Sequence, residues 1–380
     1  MREILRYLQG RQAQMLRLLG QFVRRESPSH DKRAVDGFAQ MVAEAWRRQG
    51  AQVQILRRRS RGNHVRAEMW LGNGRPRGQL LVLGHLDTVY PLGTIAKIPF
   101  RVSGGRAWGP GTFDMKGGLV QALAAASALR AVKIRLKKRI VFLWNSDEEI
   151  GSDSSRRLIE TEARRSDAVF VLEPAFGKRG DLKTARKGVG TAEIVVTGRS
   201  AHAGIDPKSG VNAVHELALQ IAQLAKINEA RRGICVQATV VAGGTVSNVV
   251  PEHARAEVDI RYARATDAIS LNRRLHAVRA ILPGARVEVR GGVNRPPLER
   301  TPAVQQLFRH AQSLMQQMGL PLGEAATGGG SDGNLTAALG IPTLDGLGAV
   351  GDGAHSPQEH LVIRAMPERA ALLAGLLATL

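Results

Sequence analysis

The sequence is poor in the residues from which several protein classes are built. Its single cysteine, Cys235, excludes an internal disulfide and any thiolate-based metal cluster, so a metal site has to be made from His, Asp and Glu. Aromatic residues make up 4% of the 380, too few for the platforms on which single-stranded nucleic acids stack. Acidic side chains are also in short supply, 33 against 54 basic ones, for a formal charge of +21. Such an excess raises nucleic acid or a membrane surface as a partner. Yet 43 of the basic residues are Arg, scattered along the whole chain instead of gathered in one arm. The densest runs, residues 57–61 and 135–139, flank apolar segments where solvated turns belong. We therefore expect a solvated basic surface, with no specific nucleic-acid partner and no membrane partner. Long apolar runs are missing too, since the longest is too short and too interrupted to cross a bilayer. The N-terminus, MREILRYLQGRQAQM, lacks the continuous apolar core of a secretory signal, and a cytoplasmic location is the expectation.

What is present is an alternation of helix and strand signals over a length that suits two or three domains. Apolar residues recur at three- and four-residue spacing over residues 4–26 and 31–49, which predicts two amphipathic helices. Strands are expected at 53–56 and 65–71, and buried parallel strands at 79–84, 140–144 and 168–172, with a small-residue helix at 117–129. After Pro174 the character changes. Strand patterns at 188–196, 234–241, 254–262 and 286–289 mix with helix patterns at 210–227 and 266–282, as in a two-layer domain with helices on one face of an antiparallel sheet. Beyond Pro297 the chain returns to helices, at 302–318 and 366–380, around a Gly-rich loop. The expected fold class is α/β and bilobal: a catalytic domain with a mixed, mostly parallel sheet flanked by helices, plus an inserted α+β lid or dimerisation domain. Its boundaries are read as 1–186, 187–297 and 298–380, with the run KGVG at Lys187 as a hinge.

The chemistry gathers at strand ends, where open α/β sheets place their ligands. His85-Leu86-Asp87 follows the strand QLLVLG, so that the aspartate can orient the imidazole. Asp114 ends the Gly-rich run GPGTFD before a helix, Asp147-Glu148-Glu149 follows IVFLWNS, Glu173 follows AVFVL, and His355 sits in GDGAHS. Each has an ordinary reading as a helix cap or a loop residue. Together, two histidines and several carboxylates at successive strand ends match a site for two divalent ions, and carboxylates so crowded need a cation to offset their repulsion.

The runs HLDTV, GPGTFDMKGG, SDEEIGS, LEP, SAHAG and GDGAHS, in this order and spacing, resemble the M20 family of dinuclear zinc peptidases and deacylases over essentially the whole chain. HLDTVYPLGTIAKIPFRV, NSDEEIGSDSSRRLIE and TGGGSDGN are most similar to its glutamate carboxypeptidase branch. The resemblance implies two Zn2+ per chain, with Co2+ or Mn2+ as substitutes: His85 and Glu173 on one ion, Glu149 and His355 on the other, and Asp114 shared. Asp87 would orient His85. Glu148 would be the general base that takes a proton from a metal-activated water. His202 in SAHAG would reach across a homodimer to the oxyanion. Asn248, Arg261, Arg295 and the backbone at Gly329 and Gly330 would bind the substrate carboxylate. The expected activity is zinc-dependent exopeptidase cleavage before a C-terminal residue with a free carboxylate, glutamate above others, on a small peptide or N-acyl amino acid. Two alternatives stand beside it: an N-acyl amino acid deacylase of the acetylornithine or succinyl-diaminopimelate type, and a non-enzymatic basic protein that binds nucleic acid.

Overall fold

Three apolar runs, Gln79–His85, Arg139–Asn145 and Ala168–Val171, lie side by side and parallel in the computed structural model, which describes residues 1–380. The short strand Thr343–Leu344 joins parallel to Ala168–Val171, while His64–Met69 and Gln52–Leu56 extend the other side antiparallel. The result is a mixed, mostly parallel six-stranded sheet. Its strands alternate their side chains between two helical layers, as period-two geometry requires. Leu80, Val82, Ile140, Phe142, Trp144 and Phe170 enter one core with residues of helices Arg2–Gln9, Gln12–Arg24, Lys32–Arg48, Gly117–Ala131 and Ala365–Thr379. Leu81, Leu83, Val141, Leu143, Val169 and Val171 face Ile159, Ala163 and Leu335 on the other side. Each such buried side chain contributes ~1.5–3 kcal/mol of transfer free energy, which is why the strand runs read as continuously apolar.

The chain divides into two compact units. The larger holds Met1–Ala185, Arg300–Ala326 and Ser331–Leu380; the smaller holds Arg186–Glu299 and Thr327–Gly330. In the smaller unit, strands Cys235–Gly243, His253–Tyr262, Gly188–Thr197 and Arg286–Arg295 form an antiparallel sheet in that spatial order. One face alternates into a core of Ile194, Val196, Ala256, Val258 and Ile260 beneath helices Ala213–Ala225 and Ala268–His276, which contribute Leu217, Leu224, Leu271 and Leu275. The loop Thr327–Gly330, expected with the C-terminal part of the catalytic domain, clusters with this unit. There Lys187 N–H donates to the Thr327 carbonyl (3.0 Å), and the Arg186 guanidinium to those of Gly329 and Gly330 (both 3.1 Å).

Other departures from expectation have local causes. The first helix breaks at Gly10–Arg11 into two. The helix expected over 266–282 stops at His276, and the Glu216 carboxylate takes the N–H groups of Ile281 and Leu282 instead. A small sheet of Gly351–Asp352, His360–Val362, Arg106–Trp108 and Arg101–Ser103 was not expected at all, since two- and three-residue strands carry no readable period. No helix is long and apolar enough to cross a membrane.

Candidate metal centre

Register places the site. His85 pairs with Asn145 at the ends of adjacent parallel strands, and Leu83 pairs with Val171 on the next, so the segments beginning at His85, Asn145 and Leu172 leave the sheet at one edge. His85, Glu148, Glu149 and Glu173 emerge there, and Asp114 and His355 are carried in by loops. His85 Nε2 lies 3.1 Å from Asp114 Oδ1 and 3.5 Å from Glu173 Oε1. His355 Nε2 lies 3.4 Å from Asp114 Oδ2 and 3.3 Å from Glu149 Oε2. The two oxygens of Asp114 thus face different histidines. The donor atoms of His85, Glu148 and Glu173 form one close group, and those of His85, Asp114 and Glu149 another.

The backbone around these groups is irregular. The Asp114–Met115 peptide is cis, and Gly111 just before it has φ 71°, a left-handed conformation that glycine adopts without steric cost. A Cβ at Gly348 would collide with the Leu172 carbonyl oxygen, so glycine there lets its N–H reach the Glu173 carbonyl at 2.9 Å. His85 Nδ1 is 2.9 Å from the Asp87 carbonyl, which only accepts, so Nδ1 carries a proton there and Nε2 is the nitrogen that faces the cluster. Asp87 serves His85 mainly through this carbonyl, its carboxylate being 3.5 Å from Nδ1. That carboxylate instead accepts from Glu148 N–H (3.3 Å), Glu149 N–H (3.2 Å) and Ser29 Oγ (2.8 Å), fixing the turn that carries both glutamates.

The crowding of Asp147, Glu148 and Glu149 is resolved by pointing them apart. Asp147 accepts from Ser155 Oγ (2.6 Å) and Ser154 N–H (2.7 Å), and its neighbours turn towards the histidines. Below the turn, Asp332 accepts from Ser152 Oγ (2.5 Å) and Asn145 Nδ2 (2.8 Å).

A pair of divalent cations suits this donor set, which is made of imidazole nitrogens and carboxylate oxygens of the kind zinc accepts. Glu149 Oε1 is buried without a hydrogen-bond partner, an orphaned acceptor in want of positive charge. Burial opposes charging His85, yet hydrogen bonds to Asp114, Asp87 and Glu173 push its pKa well above the usual histidine range. Asp114 and Glu149 push His355 up to about 10. Burial favours protonating Asp114, but the two histidines hold it well below the usual carboxylate range. For Glu149 burial prevails and raises its pKa. The pocket is thus tuned to hold cationic charge.

The remaining expected site residues lie in the smaller unit. His202 Nδ1 accepts from the N–H groups of Gly204 and Ile205 (both 3.1 Å). Its segment pairs with that of Asn248, whose carbonyl takes the Ala203 N–H (2.9 Å), so the SAHAG and SNVVP loops are neighbours. Arg261 spends Nε and Nη2 on Asp259 (2.9 and 2.8 Å), with Nη1 donating to the Gly328 carbonyl (3.2 Å). Arg295 is buried at the end of its strand, its carbonyl accepting from Tyr262 OH (3.0 Å). Sequence reasoning missed Ser29, Met115, whose sulfur receives the His85 N–H (3.2 Å), and Glu359, a buried carboxylate against the Asp114 loop. Partners so distant in sequence leave no spacing signal.

A family model described as peptidase family M20/M25/M40 matches residues 81–379. Carboxypeptidase G2 of Pseudomonas sp. strain RS-16 is 35% identical over 308 residues, 80% of this chain and 74% of that protein. A succinyl-diaminopimelate desuccinylase of Burkholderia ambifaria is 29% identical over 308 residues, 77% and 80% of the two chains. Among solved structures, aminopeptidase PepT from Bacillus cereus shares the fold at TM-score 0.79 and 20% identity, over 97% of this chain and 98% of that one. A Bacillus subtilis protein described as a dinuclear metal binding peptidase aligns at TM-score 0.71 and 17% identity, over the same shares.

Proposed function

The chain belongs to the M20/M25/M40 peptidase family and is a metallohydrolase of it, and from that premise we propose that it is a zinc carboxypeptidase releasing a C-terminal residue with a free carboxylate, preferentially glutamate. The observation that carries the reading is Asp114, whose two carboxylate oxygens stand opposite His85 and His355 as a shared ligand must. Carboxypeptidase G2 as a 35% identical relative supports the choice of bond.

His85, Glu173 and Asp114 would hold one ion; Asp114, Glu149 and His355 the other. Bound there, the ions supply a polarised carbonyl and a nucleophile formed near neutral pH. The protein's own part is proton management and orientation. Glu148 accepts the proton and returns it to the leaving nitrogen, and the Asp87 carboxylate on its N–H fixes its place. His202 is assigned to the developing oxyanion, from a second subunit. Asn248, Arg261, Arg295 and the backbone at Gly329 and Gly330 are assigned to the substrate carboxylate. Arg261 enters this task with Asp259 already on its fork, which fixes the orientation of the guanidinium plane at the cost of donors. A homodimer is favoured by strand Cys235–Gly243, an edge of the smaller sheet with Val240 and Val241 about half exposed.

A second reading, N-acyl amino acid deacylation, draws support from the Burkholderia relative. Release assays over dipeptides, N-acyl glutamates and acyl-diamino acids, with metal analysis and chelator controls, separate the two. Chelator-sensitive release of glutamate with about two zinc per chain is the expected result. Preference for succinyl- or acetyl-diamino acids moves the protein to the deacylases, and no metal with no turnover removes both readings.

A further inference from the structure

Glu359 lies four residues after His355, and its carboxylate is almost fully enclosed, 1% of the residue being exposed. Four donors converge on it. Phe113 N–H and Asp114 N–H reach Oε1 at 2.8 and 2.9 Å, while Gly111 N–H and Tyr90 OH reach Oε2 at 2.8 and 2.7 Å. A carboxylate offers about four lone-pair positions, so this one is saturated. The Glu359 backbone joins in, its carbonyl taking Gly109 N–H (3.1 Å) and its N–H giving to the Ser356 carbonyl (3.1 Å). Tyr90 OH is also 2.9 Å from that Ser356 carbonyl, so its one proton lies between the carbonyl and the nearer Oε2.

These contacts tie together the loop that follows His85 and Asp87, the turn that ends in Asp114, and the loop that holds His355. The ligands differ in what else supports them. His85 ends a central strand, with its N–H on Met115 sulfur and its Nδ1 on the Asp87 carbonyl. Glu173 is held by Gly348 N–H, and Glu149 by the Asp87 carboxylate. His355 instead sits in an irregular loop, at φ 62° and with its side chain about half exposed.

We propose that Glu359 is a positioning residue that sets the reach between Asp114 and His355, and so governs the affinity of the position formed by Asp114, Glu149 and His355 more than that of the position formed by His85, Glu173 and Asp114, which does not draw on the His355 loop. The proposal rests on the two-ion reading of the site. Groups behind metal ligands commonly change affinity by about 10- to 100-fold when replaced, and here one carboxylate serves both the turn of Asp114 and the irregular loop of His355.

The test is zinc titration of metal-stripped protein against a competing chelator, together with thermal melting of the stripped form. In Glu359→Gln the side chain keeps its shape, but an NH2 group confronts donors at one end. We expect the wild type to bind two ions, and the variant to keep one step within about threefold while the other loses about 10- to 100-fold. Tyr90→Phe removes one hydroxyl and leaves every Asp114-loop contact of Glu359 in place. It should shift the same step a few-fold, the net worth of one hydrogen bond. Equal weakening of both steps alongside a lower melting temperature of the stripped variants would mean a purely structural role, and unchanged titrations in both variants would overturn the proposal outright. A wild type that binds fewer than two ions overturns the two-ion reading itself, and the proposal with it.

Discussion

Glu148 and Glu149 are chemically identical neighbours, yet the turn points them at different groups. Glu149 Oε2 faces His355, whereas Glu148 groups with His85 and Glu173. If Glu148 is the general base, as proposed, and not a ligand beside His85 and Glu173, Glu148→Gln should reduce turnover by about 10²- to 10⁴-fold with little loss of bound metal. Turnover and metal content measured on one preparation check this, and a variant as active as wild type would remove Glu148 from the mechanism. The residues expected to hold metal stood out in the sequence because each ends an apolar strand, follows one within four residues or sits in a glycine-rich loop. The residues that orient them did not. Ser29 reaches Asp87 across 58 positions and Glu359 reaches Asp114 across 245, and only the folded chain reveals such partners. Asp87 shows the same limit at atomic detail. Its spacing from His85 predicted a contact, but not that the carbonyl would make it.

At the scale of elements, the central strands were readable because burial on both faces leaves no polar positions in them. The helices were readable where one face is wet. What failed were ends and short pieces, such as the tail of the helix at 266–282, captured by Glu216, and the small sheet around Trp108. Helix Lys32–Arg48 docks on the sheet through one aromatic cluster: Trp46 lies 4.0 Å between ring centroids from Phe142 and 5.9 Å from Trp144. All three side chains are fully buried. Trp46→Ala should destabilise the protein by about 3–5 kcal/mol, the range for emptying a large aromatic site. Denaturant unfolding reads the loss, and specific activity per folded molecule should be unchanged because the ring's aromatic partners, Phe142 and Trp144, are core residues of the sheet. A loss under about 1 kcal/mol would mean that the neighbouring helices close the cavity.

At the scale of the whole molecule, metal binding and oligomerisation become measurable as linkage. Ions that bind only the folded site should stabilise it by about 2.7 kcal/mol at a free concentration one hundred times the dissociation constant. A melting temperature independent of added zinc in stripped protein would exclude a site that assembles as described. If His202 acts in a partner's site, inactive His202→Ala and inactive Glu148→Gln should complement each other. Random exchange puts one intact site in half of the dimers, so mixing should restore about a quarter of wild-type activity. No recovery after verified subunit exchange would confine His202 to its own chain.

The larger unit is assembled from chain on both sides of the smaller one: helix Gly117–Ala131 shares its core with helix Ala365–Thr379, and strand Ala168–Val171 takes Thr343–Leu344 as its neighbour. During synthesis from the N-terminus, the first 185 residues emerge with an apolar helix face bare and a sheet edge unpaired. The smaller unit, nearly continuous in sequence, can finish first. A nascent chain that has emerged only as far as Gly330 would thus display one completed module attached to an adhesive, unfinished one, the kind of chain that most depends on chaperone shelter.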